Sequence, residues 1–279
     1  MGHTIPIWAY DLRWWGTGDY MSVTVDACVK AMEALAPPEL ASAWDNSGLQ
    51  IGSRAAIVER IMVTLTVTEN AVERAVTDQA DLIVAHHPLI FKPLKAVDTD
   101  LPVGRAIQKL LSHRIAVYAC HTNLDRAQFG LNYWLAESIG LRNHRILEPD
   151  LNQEHGLGRI GSLDPISLAD LAAKLGKMWR TQVRYVGDPQ ALCSKIAVCG
   201  GSGSDLIHAA WSKHADVLIT GDVKYHAALD AAALGLAVID AGHYATESIM
   251  ITKVAAYLRT KLPTVTVTEL WEGEDPFRY

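Results

Sequence analysis

A chain of 279 residues, 49% hydrophobic and 20% charged, is long enough for one large domain or two ordinary ones and needs no covalent staple. Its 25 Lys and Arg against 31 Asp and Glu leave a net charge of −6, which argues against a nucleic-acid-coating protein or a polybasic membrane binder. The four cysteines, Cys28, Cys120, Cys193 and Cys199, form no CxxC pair, so neither a disulfide framework nor a cysteine-rich zinc knuckle is expected, and 11 histidines remain.

Residues 1–20 are tryptophan-rich, broken by glycine and aperiodic, and read as an extension outside the fold. No apolar run reaches the roughly 18–20 residues of a membrane span, and no signal peptide is visible, so the expected compartment is the cytoplasm. Val25–Leu35 has the spacing of an amphipathic helix, and Pro37–Gly52 reads as a loop. Strand Ile61–Val67, rich in β-branched residues, is followed by helix Glu69–Gln79. Asp81–Ala85 is a continuous apolar run, as expected for a strand buried on both faces. Helix Val103–His113, strand Ile115–Ala119 and helix Leu131–Ile139 follow.

A second series runs strand Leu157–Gly161, helix Leu168–Trp179, strands Gln182–Val186 and Lys195–Cys199, helix Asp205–His214 and strand Val217–Thr220. It ends with helix Tyr225–Leu234, strand Leu236–Asp240, helix Thr246–Leu262 and strand Thr264–Glu269. This alternation predicts an α/β fold with largely parallel sheets. A faint repeat relates Ala106–Asp125 to Ala228–Glu247: each gives a helix, an "-AV-" strand, then a His followed four residues later by a carboxylate. A strand opening with Asp81 or Asp216 precedes each unit.

Ligands of open α/β sheets bind beyond the carboxyl ends of the strands. Three strand ends carry metal-competent groups: His86-His87-Pro88, Cys120-His121 with Asp125, and Gly242-His243 with Glu247. A single histidine there is often only hydrogen-bonded to backbone, but three such ends together point to a site. Imidazole with carboxylate suits zinc, iron, manganese, nickel or cobalt. Neighbouring side chains in extended backbone point apart, so His86 and His87 are expected to serve two ions, or one ion and its surroundings. Asp125 and Glu247 are available to bridge, which makes a two-metal hydrolytic centre the expectation.

Trp44-Asp45-Asn46-Ser47-Gly48-Leu49-Gln50-Ile51-Gly52, Ala85-His86-His87-Pro88, His121-Thr122-Asn123-Leu124-Asp125 and Gly242-His243-Tyr244-Ala245-Thr246-Glu247 resemble the signature blocks of the Nif-three-like dinuclear-metal proteins, often labelled GTP cyclohydrolase I type 2 homologues. Gly221-Asp222-Val223-Lys224-Tyr225-His226 and Gly200-Gly201-Ser202-Gly203 match further blocks. The resemblance implies His86, His87, Asp125, His243 and Glu247 as ligands of two divalent ions per chain. It implies two intertwined three-layer α/β/α domains of similar topology, 21–127 plus 240–279 and 128–239, in a hexameric ring whose metal sites face an internal cavity. It also implies the compact form, without the extra domain that some members insert in mid-chain.

His121 is expected beside the ligands, orienting one of them or meeting substrate, and His121 or His226 would manage protons. The glycines 200–203 could receive an anion on backbone N–H groups, and Lys92 and Lys95 could attract one. Five ligands cannot fill two coordination shells, so room for water or substrate remains. The leading expectation is therefore a metal-dependent hydrolase of a small anionic, nucleotide-like substrate. The alternative is a non-catalytic ring that stores, delivers or senses metal, or docks a partner.

Overall fold

The computed structural model describes residues 22–151, 153–271 and 275–277, so the expected extension at 1–20 lies outside the described residues. Helix α1 (Val25–Leu35) has the predicted bounds: the Thr24 hydroxyl accepts from the Ala27 N–H, and Val25, Cys28, Val29 and Met32 bury one stripe. Strand β1 (Gly48–Ile51) precedes β2 (Arg60–Thr64), α2 (Glu69–Thr77), β3 (Leu82–Ala85), α3 (Pro102–Ser112), β4 (Ala116–Ala119), α4 (Thr122–Arg126) and α5 (Leu131–Ile139). Then come β5 (Arg142–Pro149), β6 (Gly156–Ser167), α6 (Leu168–Trp179), β7 (Arg184–Val186), β8 (Leu192–Ser202), α7 (Ile207–Ser212) and β9 (Val217–Gly221). The described chain continues through α8 (Tyr225–Ala233), β10 (Ala237–Asp240), α9 (His243–Glu247), α10 (Ile249–Lys261) and β11 (Thr266–Glu269).

Two sheets result. The first has the order β1-β4-β3-β2-β11 and is parallel except at β1. Its strand β3 is buried on both faces, as the apolar run predicted: Leu82 and Val84 pack with α1 and α10, Ile83 and Ala85 with α2 and α3. The second has the order β5-β6-β8-β9-β10-β7. Its centre, β8-β9-β10, is parallel and its flanks are antiparallel. Helices α5 and α6 cover one face, α7 and α8 the other. No helix among the described residues is long and apolar enough to cross a membrane.

The repeat has a structural counterpart. Asp81 accepts the Glu59 and Arg60 N–H groups on one carboxylate oxygen, and Asp216 accepts those of Ser194 and Lys195 in the same way. Each aspartate thus fastens the start of its strand to the neighbouring one. In both units a helix and strand lead into a five-residue helix, α4 or α9.

The structure departs from expectation at several places, one of them α4, an unpredicted short helix that carries Asp125. The supposed loop 37–52 contains β1, and 142–149 forms β5; both are half-exposed edge strands without a continuous apolar signal. The expected helix Asp205–His214 is a 3-10 turn, Ser204–Leu206, followed by α7. The expected helix Thr246–Leu262 is two helices, α9 and α10. Glu247 therefore ends α9, one helical turn from His243, and does not sit in a first turn where a helix dipole would favour it.

Candidate metal centre

The carboxyl ends of β3 and β4 in one sheet meet those of β8, β9 and β10 in the other. His86 and His87 follow β3, His121 and Asp125 follow β4, and His243 with Glu247 follows β10 on α9. Glu247 is the hub. Its Oε2 lies 2.9 Å from His243 Nε2 and 3.0 Å from His87 Nε2, and its Oε1 lies 3.6 Å from His86 Nε2. His86 Nε2 is also 3.6 Å from Asp125 Oδ1. The His87 and His243 Nε2 atoms are 3.3 Å apart.

Each imidazole is held at its other nitrogen. His86 Nδ1 donates to the Cys120 carbonyl at 2.8 Å, and His243 Nδ1 to Asp222 Oδ2 at 2.7 Å. His121 Nδ1 donates to Asp45 Oδ1 at 2.8 Å, while His87 Nδ1 lies 2.7 Å from the Thr66 hydroxyl. Every Nε2 is thereby left for the cluster. The buried His86 Nε2 and Asp125 Oδ1 have no hydrogen-bond partner. An ion bound at about 2.0–2.2 Å by imidazole and carboxylate would satisfy both atoms across their separation. The donor set therefore fits a divalent cation, and ligand-competent atoms gather as His86, His87, His121 and as His87, His243, Glu247.

Electrostatics reinforce this. Burial pulls His86 and His243 down, but Glu247, with Asp125 and Asp222 respectively, outweighs it and holds each at about 9. Burial dominates at His87 and lowers it, with the charges of His86 and His243 adding. Burial also lifts Asp125 to about 6. Glu247 stays well below the usual carboxylate range despite burial, because His86, His243 and His87 face it. Metal-free, the cluster shares protons where cations would sit.

The family model for Duf34/NIF3 (NGG1p interacting factor 3) matches residues 23–276. The chain belongs to this family. It is 37% identical over 235 residues to a Streptococcus pneumoniae protein named GTP cyclohydrolase 1 type 2 homolog, covering 82% of this chain and 88% of that one. A Clostridium perfringens protein of the same name is 32% identical over 255 residues, covering 90% and 97%. Among solved structures, a Bacillus cereus protein related to NIF3 superposes with a TM-score of 0.88 at 28% identity, covering 92% of this chain and 99% of that one.

In this family member the structure gathers His86, His87, His121, Asp125, His243 and Glu247, but not His226. That histidine is exposed on α8, with its ring against Tyr225. Lys92 and Lys95 lie on an exposed loop. Cys120 is buried, burial raises its thiol pKa, and its carbonyl is what serves the site. The glycine segment is not an open anion nest. The N–H groups of Gly200, Gly201 and Gly203 are taken by Asn132, Thr246 and Thr220.

Asp45 and Asp222 are the side chains that spacing did not reveal as functional. Burial would raise Asp45, yet hydrogen bonds from His121, Thr122 and Ser47 hold it well below the usual carboxylate range. Asp222 sits in the left-handed region, φ +52°, where its carboxylate reaches His243. Asparagine tolerates that backbone, so Asp222→Asn tests the charge alone. We expect metal affinity to fall about 10- to 100-fold, read by chelator competition. An unchanged affinity would mean that Asp222 does not tune His243.

Proposed function

We propose that this chain holds two divalent ions and hydrolyses a small anionic, nucleotide-like substrate. The observation that carries this reading is the buried, partnerless pair His86 Nε2 and Asp125 Oδ1 beside the Glu247 carboxylate. His86 and Asp125 would hold one ion, His87 and His243 the other, and Glu247 both. Bound there, such a pair lowers the pKa of a water from 15.7 to about 7 and polarises a carbonyl or phosphoryl oxygen.

The chain's own residues supply the rest. His121, anchored by Asp45, packs edge-to-face on the rings of His86 and His87 at 5.2 and 5.7 Å, and is the residue we assign to moving a substrate proton. A cavity of about 780 Å³ opens beside His87 and His243, within the range of small-molecule sites. Its wall carries Arg184, whose guanidinium is fixed by Asp240 at 2.8 and 2.9 Å and by the Val223 carbonyl. Asp222, Asp240 and Asp275 line the same cavity, so the charge that attracts an anion would come from the bound ions, while Tyr244 and Phe277 offer a flat contact. The name of the relatives, GTP cyclohydrolase 1 type 2 homolog, supports a nucleotide-like choice.

The test is a turnover screen of the metal-loaded protein against GTP, phosphoesters and cyclic amides, with Glu247→Gln as background. Two bound ions without turnover above that background would leave the storage, delivery or sensing ring. A pH prediction accompanies it. His86 and His243 titrate near 9, so both are protonated at pH 7.5 and must be neutral to bind metal. Loading both ions should release about two protons, one per ion, so the apparent affinity for each ion should rise about tenfold per pH unit between 7 and 9, then level off. Calorimetry in buffers of different ionisation enthalpy reads this, and buffer-independent heats would contradict it.

We also propose the division into 21–127 plus 240–279 and 128–239. Sheet membership supports it: β1 to β4 with β11, against β5 to β10. The ring is the proposed assembly, and a monomeric mass in solution would refute it.

A further inference from the structure

Arg159, on β6, is 2% exposed, yet no carboxylate pairs with it among the described residues. Its Nη1 donates to the Gly158 carbonyl at 3.2 Å. Its Nη2 donates to the carbonyls of Ala127 and Gln128 at 3.3 and 2.5 Å. A guanidinium has five N–H donors, so two remain. Burial lowers its pKa to about 10, with only Tyr133 opposing. A buried cation facing neutral carbonyls keeps much of its desolvation cost, which an anion would relieve.

A cleft of about 490 Å³ lies over this residue and collects more positive charge. Arg145 and Lys213 line it too, against the single lining carboxylate of Glu154. Burial and then Arg145 lower the Lys213 pKa, against an opposing pull from the Glu148 carboxylate. Its ammonium leans on the Leu147 carbonyl.

The remaining wall is aromatic. Phe129 packs edge-to-face on Tyr133 at 5.2 Å, and Tyr133 on His144 at 5.1 Å. The His144 side chain is 9% exposed and gives Nε2 to Glu137, while its buried Nδ1 has no partner. With Nε2–H donated, that atom accepts, and a ligand hydroxyl or N–H group would supply the missing donor.

We propose that this cleft, apart from the metal centre, binds a small phosphate-bearing molecule the size of a nucleoside monophosphate. The phosphoryl group sits against Arg145, Arg159 and Lys213, and the ring packs on Phe129 and Tyr133. None of the cleft's side chains belongs to the metal cluster, so the reading stands whether or not the centre is catalytic.

Calorimetric titration of the metal-loaded protein with AMP tests it, with adenosine as control. Arg159 also ties the chain after α4 to β6, so the variants are placed on the rim. In Glu247→Gln, whose metal centre is expected to be empty, we expect one saturable AMP site per chain, and the same site in the metal-loaded wild type. Affinity should fall at least about tenfold in Arg145→Met and in Lys213→Met, and adenosine should bind at least about tenfold more weakly than AMP. No saturable binding overturns the proposal, as does adenosine binding as tightly as AMP. AMP binding lost in Glu247→Gln but kept in both rim variants also overturns it, because the anion then sits at the metal centre.

Discussion

Replacing Glu247 by glutamine is expected to empty the metal centre, from the proposed two ions per chain to none retained through gel filtration, an affinity loss above about 100-fold. One carboxylate lies within 3.6 Å of three imidazoles, so a neutral isostere removes charge from both proposed positions at once. A stability effect should appear in chelator-treated protein. Glu247 is 3% exposed and is the main anion facing His86 and His243. Its loss near pH 7 leaves the two imidazoliums with only the weaker support of Asp125 and Asp222 respectively, at a cost of at most about 3–5 kcal/mol before those rings shed protons.

The sign of the pH dependence follows from the direction of the shifts. His86 and His243 have folded pKa values raised to about 9, so their stabilisation is complete below the unfolded value of about 6.5 and is lost as pH rises through 9. The gap between wild type and Glu247→Gln should therefore shrink from pH 7 to pH 10 in denaturant melts. Unchanged metal content in the variant would remove Glu247 from the ligand set.

The architecture was readable where burial is symmetric. Leu82 to Ala85 pack into two cores at once, so the run of apolar residues carries the strand in its composition. Helix α6 matched to the residue because Leu168, Leu171, Ala172 and Leu175 keep helical spacing beneath a Ser167 cap. Edge strands β1 and β5 carry no such pattern, since water takes one side of each and much of the other.

The site divides in the same way. Histidines and carboxylates at strand ends are visible as residue types, and the spacing of four in His121–Asp125 and His243–Glu247 recurs along the chain. Their partners act through space. Asp45 reaches His121 from 76 positions away, and Asp222 reaches His243 only through a left-handed backbone that no periodicity encodes. Once folded, the two units use one device: an imidazole after a parallel strand, its Nδ1 fixed by an aspartate from another loop. The units lie in different sheets, so the centre forms only when the carboxyl ends of their strands come together.

Gly201 converts that meeting into the second large expected effect. At φ +61°, a Cβ added here would stand 2.1 Å from Glu247 Oε1 and 3.3 Å from His243 Nε2. The backbone has little room to retreat. The Gly201 N–H is held by Thr246 at 2.9 Å, its carbonyl accepts from Thr220 at 3.1 Å, and Gly200 is tied to Asn132 at 2.9 Å. The carboxylate must move instead. We expect Gly201→Ala to destabilise the fold by about 1–3 kcal/mol through strain and overpacking, and to lose metal nearly as completely as Glu247→Gln. Because both changes act on one side chain, the double variant should bind metal no worse than Glu247→Gln alone. Additive losses would mean that Gly201 affects metal by a route other than the Glu247 carboxylate. Full metal retention in Gly201→Ala would mean that the close approach of β8 does not set the carboxylate's position.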